Sequence, residues 1–117
     1  MNLFPLQKED PNADCLEVTH FQYTAWPDHG VPQFASSMLS FVRRVQKVHD
    51  KDKGVPLLVH CSAGVGRTGT FIALDTLLDR MRSETSISVL EVVRDMRSKS
   101  VLMVQTLVCH VTILCVF

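Results

Sequence analysis

His60-Cys61-Ser62-Ala63-Gly64-Val65-Gly66-Arg67-Thr68-Gly69 is the stretch on which the fold and the chemistry of this chain turn. In front of it stands Val55-Pro56-Leu57-Leu58-Val59-His60, a short apolar run after Gly54 that reads as a buried strand. Behind it, residues 68–82 place Ile72, Leu74, Leu77, Leu78 and Met81 at helical spacing. The loop therefore joins a strand to a helix, and the expected class is α/β, with central sheet strands and flanking helices.

Such a junction suits an anion. A helix N-terminus presents free N–H groups and partial positive charge. The small residues Ser62, Ala63, Gly64 and Gly66, with Val65, let backbone amides turn inward around a phosphate. Cys61 would feel those same amides. A cysteine so placed has a pKa below its usual value of about 8.5. It is then a thiolate near neutral pH, which is the nucleophilic form. Arg67, six positions on, carries a planar fork that grips two phosphate oxygens. Thr68 is positioned to donate to the Cys61 sulfur and help it leave, and His60 to orient the loop through backbone contacts. A nucleotide-binding P-loop is excluded, because that pattern needs Lys followed by Ser or Thr after its last glycine, where Arg67 stands.

Working outward, residues 34–49 form a clear amphipathic helix, with Met38, Leu39, Phe41, Val42, Val45 and Val48 on one stripe. Ser86 or Ser88 caps a further helix running through Arg97, with Val89, Leu90, Val93 and Met96 inside. Residues 16–23 alternate in polarity and read as a strand. Residues 1–14 show no period and read as a loop. Trp26-Pro27-Asp28-His29-Gly30-Val31-Pro32 is a loop by its two prolines and its glycine. Asp28 suits the general acid that a departing ester oxygen needs, a role worth about 10² to 10⁴ in rate. Gln105, in Met103-Val104-Gln105-Thr106, suits a residue that orients water for the second half of such a reaction.

Composition narrows the alternatives. The chain has 117 residues, enough for one small domain. Its formal net charge is zero, which gives no field for nucleic acid. The four cysteines, Cys15, Cys61, Cys109 and Cys115, match no zinc spacing and suit a reducing cytosol. Residues 1–10 lack the basic start and apolar run of a signal peptide. The apolar stretch 101–117 is short for a membrane span and is interrupted by Gln105, Thr106, His110 and Thr112, so no membrane contact is expected.

The run Val18-Thr19-His20-Phe21-Gln22-Tyr23-Thr24-Ala25-Trp26-Pro27-Asp28-His29-Gly30-Val31-Pro32, followed by the loop at Cys61, resembles the tyrosine-specific protein tyrosine phosphatases, receptor-type or close to it. The likeness runs from about Leu16 to Thr106 and involves three loops in order and spacing. It implies hydrolysis of phosphotyrosine in proteins through a cysteinyl-phosphate, in the cytoplasm or in the cytoplasmic part of a longer membrane receptor. Cys61 would be the nucleophile, Arg67 the phosphate clamp, Asp28 the acid and then the base, Thr68 the aid to sulfur departure, and Gln105 the residue that places water. Residues 62–67, with Asp28 and Gln105, would line the substrate site. The family needs no metal or cofactor.

Departures accompany the likeness. The family domain is more than twice this long, so residues 16–106 correspond to its C-terminal half, preceded by a loop segment (1–15) and followed by a divergent apolar tail (107–117). Ser100 stands where an arginine is common, and Cys109 where a second glutamine is usual. The tail is expected to be exposed and aggregation-prone. Three readings follow: an active phosphatase, a phosphotyrosine-binding module without turnover, and a truncated splice or gene-model product without a stable fold. The presence of Asp28, Cys61 and Arg67 together argues against the second.

Overall fold

In the computed structural model, residues 2–6, 16–27, 30, 35–49 and 54–116 are described. They comprise strands β1 (Asn2–Leu6) and β2 (Leu16–His20) and helices α1 (Ala35–Val48), α2 (Gly66–Arg80), α3 (Val89–Lys99) and α4 (Leu107–Leu114). Three helices pack on α2, which is the hub of the molecule. That is why α2 buries residues nearly all round, including Thr70, Phe71, Ala73, Leu74, Leu77 and Leu78. The side chains of Leu74, Leu77, Ile113, Val42 and Val92 are fully buried and form the core. Truncating any one of these leucines to alanine would cost about 2–5 kcal/mol.

Helix α1 contributes Met38, Val42 and Val45 from the stripe read in its sequence. Polar contacts set its register on α2: Gln46 Nε2 donates to Asp75 Oδ1 at 2.8 Å, and Arg82 Nη2 donates to Gln46 Oε1 at 3.2 Å. Tyr23 packs tilted on Phe41, and Phe41 edge-on against Phe71, with ring centroids 5.2 and 6.0 Å apart. The Tyr23 hydroxyl also meets Ser37 Oγ at 2.6 Å. The chain leading to Trp26 is thereby fastened to α1 and α2. Helix α3 begins where the sequence indicated, with the Ser88 hydroxyl accepting from the Glu91 N–H at 3.3 Å, a cap worth about 1 kcal/mol.

The sheet departs from expectation. Among the described residues it has two strands, paired antiparallel from Asn2↔His20 to Leu6↔Leu16. Among the described residues no central sheet flanked by helices is formed. Residues 2–6, read as loop, are strand β1. Local sequence did not reveal it because Pro5 interrupts the run and the partner lies beyond reach of any local pattern. A two-stranded sheet consists only of edges, where proline is tolerated.

Residues 55–60 form no ladder. Leu58 is 87% exposed and Val55 57%, so the run read as a buried strand lies largely on the surface. Its apolar character was legible, but a strand also needs a neighbour with free N–H and C=O groups.

The tail is a helix rather than an exposed β-prone segment. Thr106 caps α4 by accepting from the Cys109 N–H, and Cys109, Thr112 and Ile113 bury themselves as α4 packs on α2. Leu107, Val111 and Leu114 remain exposed. No described helix is long and apolar enough to cross a membrane.

Candidate active site

The loop 61–65 curls immediately before α2, whose first residue is Gly66. Gly64, at φ +73°, takes the left-handed conformation that turns the chain back on itself. The turn aims the Gly64 N–H at the Cys61 sulfur, 3.2 Å away. Burial pushes the Cys61 thiol up and is the largest single influence on it. The Thr68 hydroxyl and the backbone N–H groups of Thr68, Gly64 and Val65 pull it down and together prevail, so the pKa lies below the ordinary cysteine value.

Thr68 is buried, and its hydroxyl lies outside strict hydrogen-bond geometry with any partner, although it lowers the Cys61 pKa as a donor to the sulfur. Among the described residues the hydroxyl is a poised donor rather than a formed bond.

Arg67 is exposed and reaches away from its own helix. Its Nη2 donates to the Pro27 carbonyl at 3.2 Å, and its guanidinium carbon sits 6.0 Å from the centroid of the Trp26 ring, within cation–π range. The loop at Cys61 and the segment entering the Trp-Pro-Asp loop are therefore in contact through Arg67. Asp28 and His29 lie outside the described residues. His60, Ser62 and Ala63 are exposed.

The turn that bears Gln105 is tied to the loop through Val104. The Val104 N–H donates to the Val65 carbonyl at 3.0 Å, and the Gly69 N–H shares that acceptor at 3.2 Å. Val104 is fully buried at φ +57°, a conformation unfavourable for a β-branched residue by roughly 1–3 kcal/mol. Gly69 makes the approach feasible, because a Cβ there would overlap the Val104 amide nitrogen. Two further contacts hold the turn. Arg97 Nε donates to the Met103 carbonyl and Nη2 to the Val104 carbonyl, each at 3.0 Å. Arg97, Gly69, Val104 and the Val65 carbonyl were all missed at the level of sequence.

Chemically, this arrangement is a partly buried cysteine sulfur that accepts from a backbone amide and has a lowered pKa, with a glutamine-bearing turn fixed to the same loop. A family model described as Protein-tyrosine phosphatase matches residues 1–115. The chain belongs to the protein-tyrosine phosphatase family. The match extends beyond residues 16–106 at both ends. Among similar proteins, the receptor-type tyrosine-protein phosphatase S of Gallus gallus is 51% identical over 103 residues, covering 88% of this chain and 7% of that protein. The receptor-type tyrosine-protein phosphatase F of Mus musculus is 46% identical over 106 residues, covering 91% and 6%. That of Homo sapiens is 50% identical over 103 residues, covering 88% and 5%. The chain thus spans less than a tenth of the length of these curated relatives.

Proposed function

We propose that this chain carries the nucleophilic centre of a protein-tyrosine phosphatase that hydrolyses phosphotyrosine in proteins. The observation that carries the reading is the Cys61 sulfur, partly buried, accepting from the Gly64 N–H at 3.2 Å with its pKa lowered. A structural cysteine in an apolar site would have the opposite shift.

In the first step the Cys61 thiolate attacks phosphorus. An S–P bond forms, the bond from phosphorus to the tyrosyl oxygen breaks, and Asp28 protonates the departing oxygen. The amides of residues 62–67 and the Arg67 guanidinium hold the phosphoryl oxygens as charge moves through them. In the second step a water placed by Gln105 attacks phosphorus, Asp28 accepts its proton, and the S–P bond breaks as Thr68 donates to the returning thiolate. His60 orients the loop's entry. The partners are phosphotyrosine-bearing proteins. The compartment is the cytoplasm, and the names of the relatives fit a longer membrane-receptor form.

The experiment is turnover of p-nitrophenyl phosphate by the 117-residue chain and by Cys61→Ser, each checked for a cooperative melt by circular dichroism. The reading expects turnover in the first and none in the second. Equal rates overturn it. Vanadate binding by a folded chain without turnover would favour a phosphotyrosine-binding module instead.

A further inference from the structure

We propose that Arg97 is a positioning residue for the second, water-consuming step, acting through the turn that carries Gln105. The proposal rests on the phosphatase reading above and extends it to a residue outside the three loops.

The turn cannot hold itself. Val104 sits at φ +57°, where a valine is disfavoured, so surrounding contacts must impose the conformation. Those contacts come from two sides. From the phosphate loop, the Val65 carbonyl accepts the Val104 N–H at 3.0 Å. From α3, the Arg97 guanidinium donates to both the Met103 and Val104 carbonyls at 3.0 Å. A planar fork serves two adjacent carbonyls at fixed separation, whereas a lysine ammonium is a single point.

The residue after Gln105 is anchored as well. The Thr106 hydroxyl accepts the Cys109 N–H and donates to the Cys109 sulfur at 3.3 Å. That sulfur stands 3.6 Å from where a Cβ on Gly66 would lie. Gln105 thus lies between Val104, bonded to the phosphate loop, and Thr106, which caps α4. Its own exposed side chain makes no hydrogen bond among the described residues, which leaves its amide free for a water or a substrate. Of the ties that hold it, the Arg97 fork comes from outside the phosphate loop and the α4 cap, so substituting Arg97 deletes no group of either.

Removing it should affect one step selectively. Thiolate attack uses Cys61, Arg67 and the loop amides, none of which Arg97 touches. Water attack needs Gln105 in place, and misplacing a positioning group by about 1 Å can cost roughly 100-fold. The test is stopped-flow turnover of p-nitrophenyl phosphate by the full chain, Arg97→Met and Arg97→Lys, with amide hydrogen exchange on the same samples. Arg97→Met should give a burst of p-nitrophenol near one per Cys61, a kcat lowered roughly 10- to 100-fold and a nearly unchanged kcat/KM. Arg97→Lys should recover part of the kcat. The Val104 amide should lose protection in Arg97→Met while the Leu74 and Leu77 amides keep theirs. A parallel fall of kcat and kcat/KM without a burst overturns the proposal, as does a variant indistinguishable from the parent. Absence of turnover in the parent chain would overturn the phosphatase reading. Exchange would then decide the clamp by itself, and unchanged Val104 protection would refute it.

Discussion

The Val104 N–H and the Val65 carbonyl meet at 3.0 Å, and this one bond ties the glutamine-bearing turn to the loop whose Val65 amide also stabilises the Cys61 thiolate. The approach depends on Gly69. A methyl group there would overlap the Val104 nitrogen and stand 3.2 Å from its Cα and 3.3 Å from the Met103 carbonyl carbon. All three are backbone atoms, held in place by Arg97. Gly69→Ala is therefore expected to destabilise the fold by about 1–3 kcal/mol, the range for overpacked sites, although alanine is otherwise the better helix former. Urea midpoints of the two proteins check this. An equal or higher midpoint in Gly69→Ala would mean that the turn yields freely.

A lowered Cys61 pKa links stability to pH in one direction. Between the folded pKa and about 8.5, the unfolded chain holds a proton at this sulfur that the folded chain has released. Stability relative to Cys61→Ser should therefore rise with pH across that window, be fully present above it, and be lost as pH falls through the folded pKa. Chemical denaturation of both proteins across roughly pH 5 to 9 measures the difference. The rate of alkylation by iodoacetamide should reach half its maximum at a lower pH than for free cysteine. A difference that falls with rising pH would contradict the donor arrangement around the sulfur.

Much of this site was legible because its parts are chemical identities at fixed spacing. The Cys61-to-Arg67 loop and its helix follow from residue type, and α1 and α3 from apolar stripes, the second opening at the Ser88 cap and read through Arg97 where the helix runs to Lys99. What escaped was relational. Residues 55–60 have strand composition without a ladder partner, β1 exists through register with β2, and the buried face of α4 answers to α2. Val104 was unreadable for a stronger reason. Its conformation runs against the preference of valine and is imposed by Val65, Gly69 and Arg97, distant in sequence from one another.

Thr68 separates chemistry from stability. Its buried hydroxyl has no hydrogen-bond partner of ordinary geometry, so its desolvation is uncompensated until a charged sulfur draws it in. Thr68→Val keeps the shape and removes the hydroxyl. The melt should be unchanged or improved by less than about 1 kcal/mol, since a buried unmade hydrogen bond is a cost. The alkylation profile of Cys61 should move to higher pH, because one of the donors that lowers its pKa is gone. Destabilisation with an unmoved alkylation profile would assign Thr68 a packing role alone.

The segment ahead of the loop offers a different test. Leu57, Leu58 and Val59 border an open apolar cleft with Phe71 and Ile72, yet Leu58 is 87% exposed and the segment pairs with no described strand. Unpaired backbone beside exposed leucine invites edge-to-edge association, which natural edges suppress with charge. Leu58→Lys places a cation on the exposed position and removes little packing, so the melt should shift by no more than about 0.5 kcal/mol. Light scattering at rising concentration should fall relative to the parent, with helicity preserved. If Leu58→Lys instead loses its cooperative melt, Leu58 is buried in solution, and the run 55–60 has found the cover that its composition calls for.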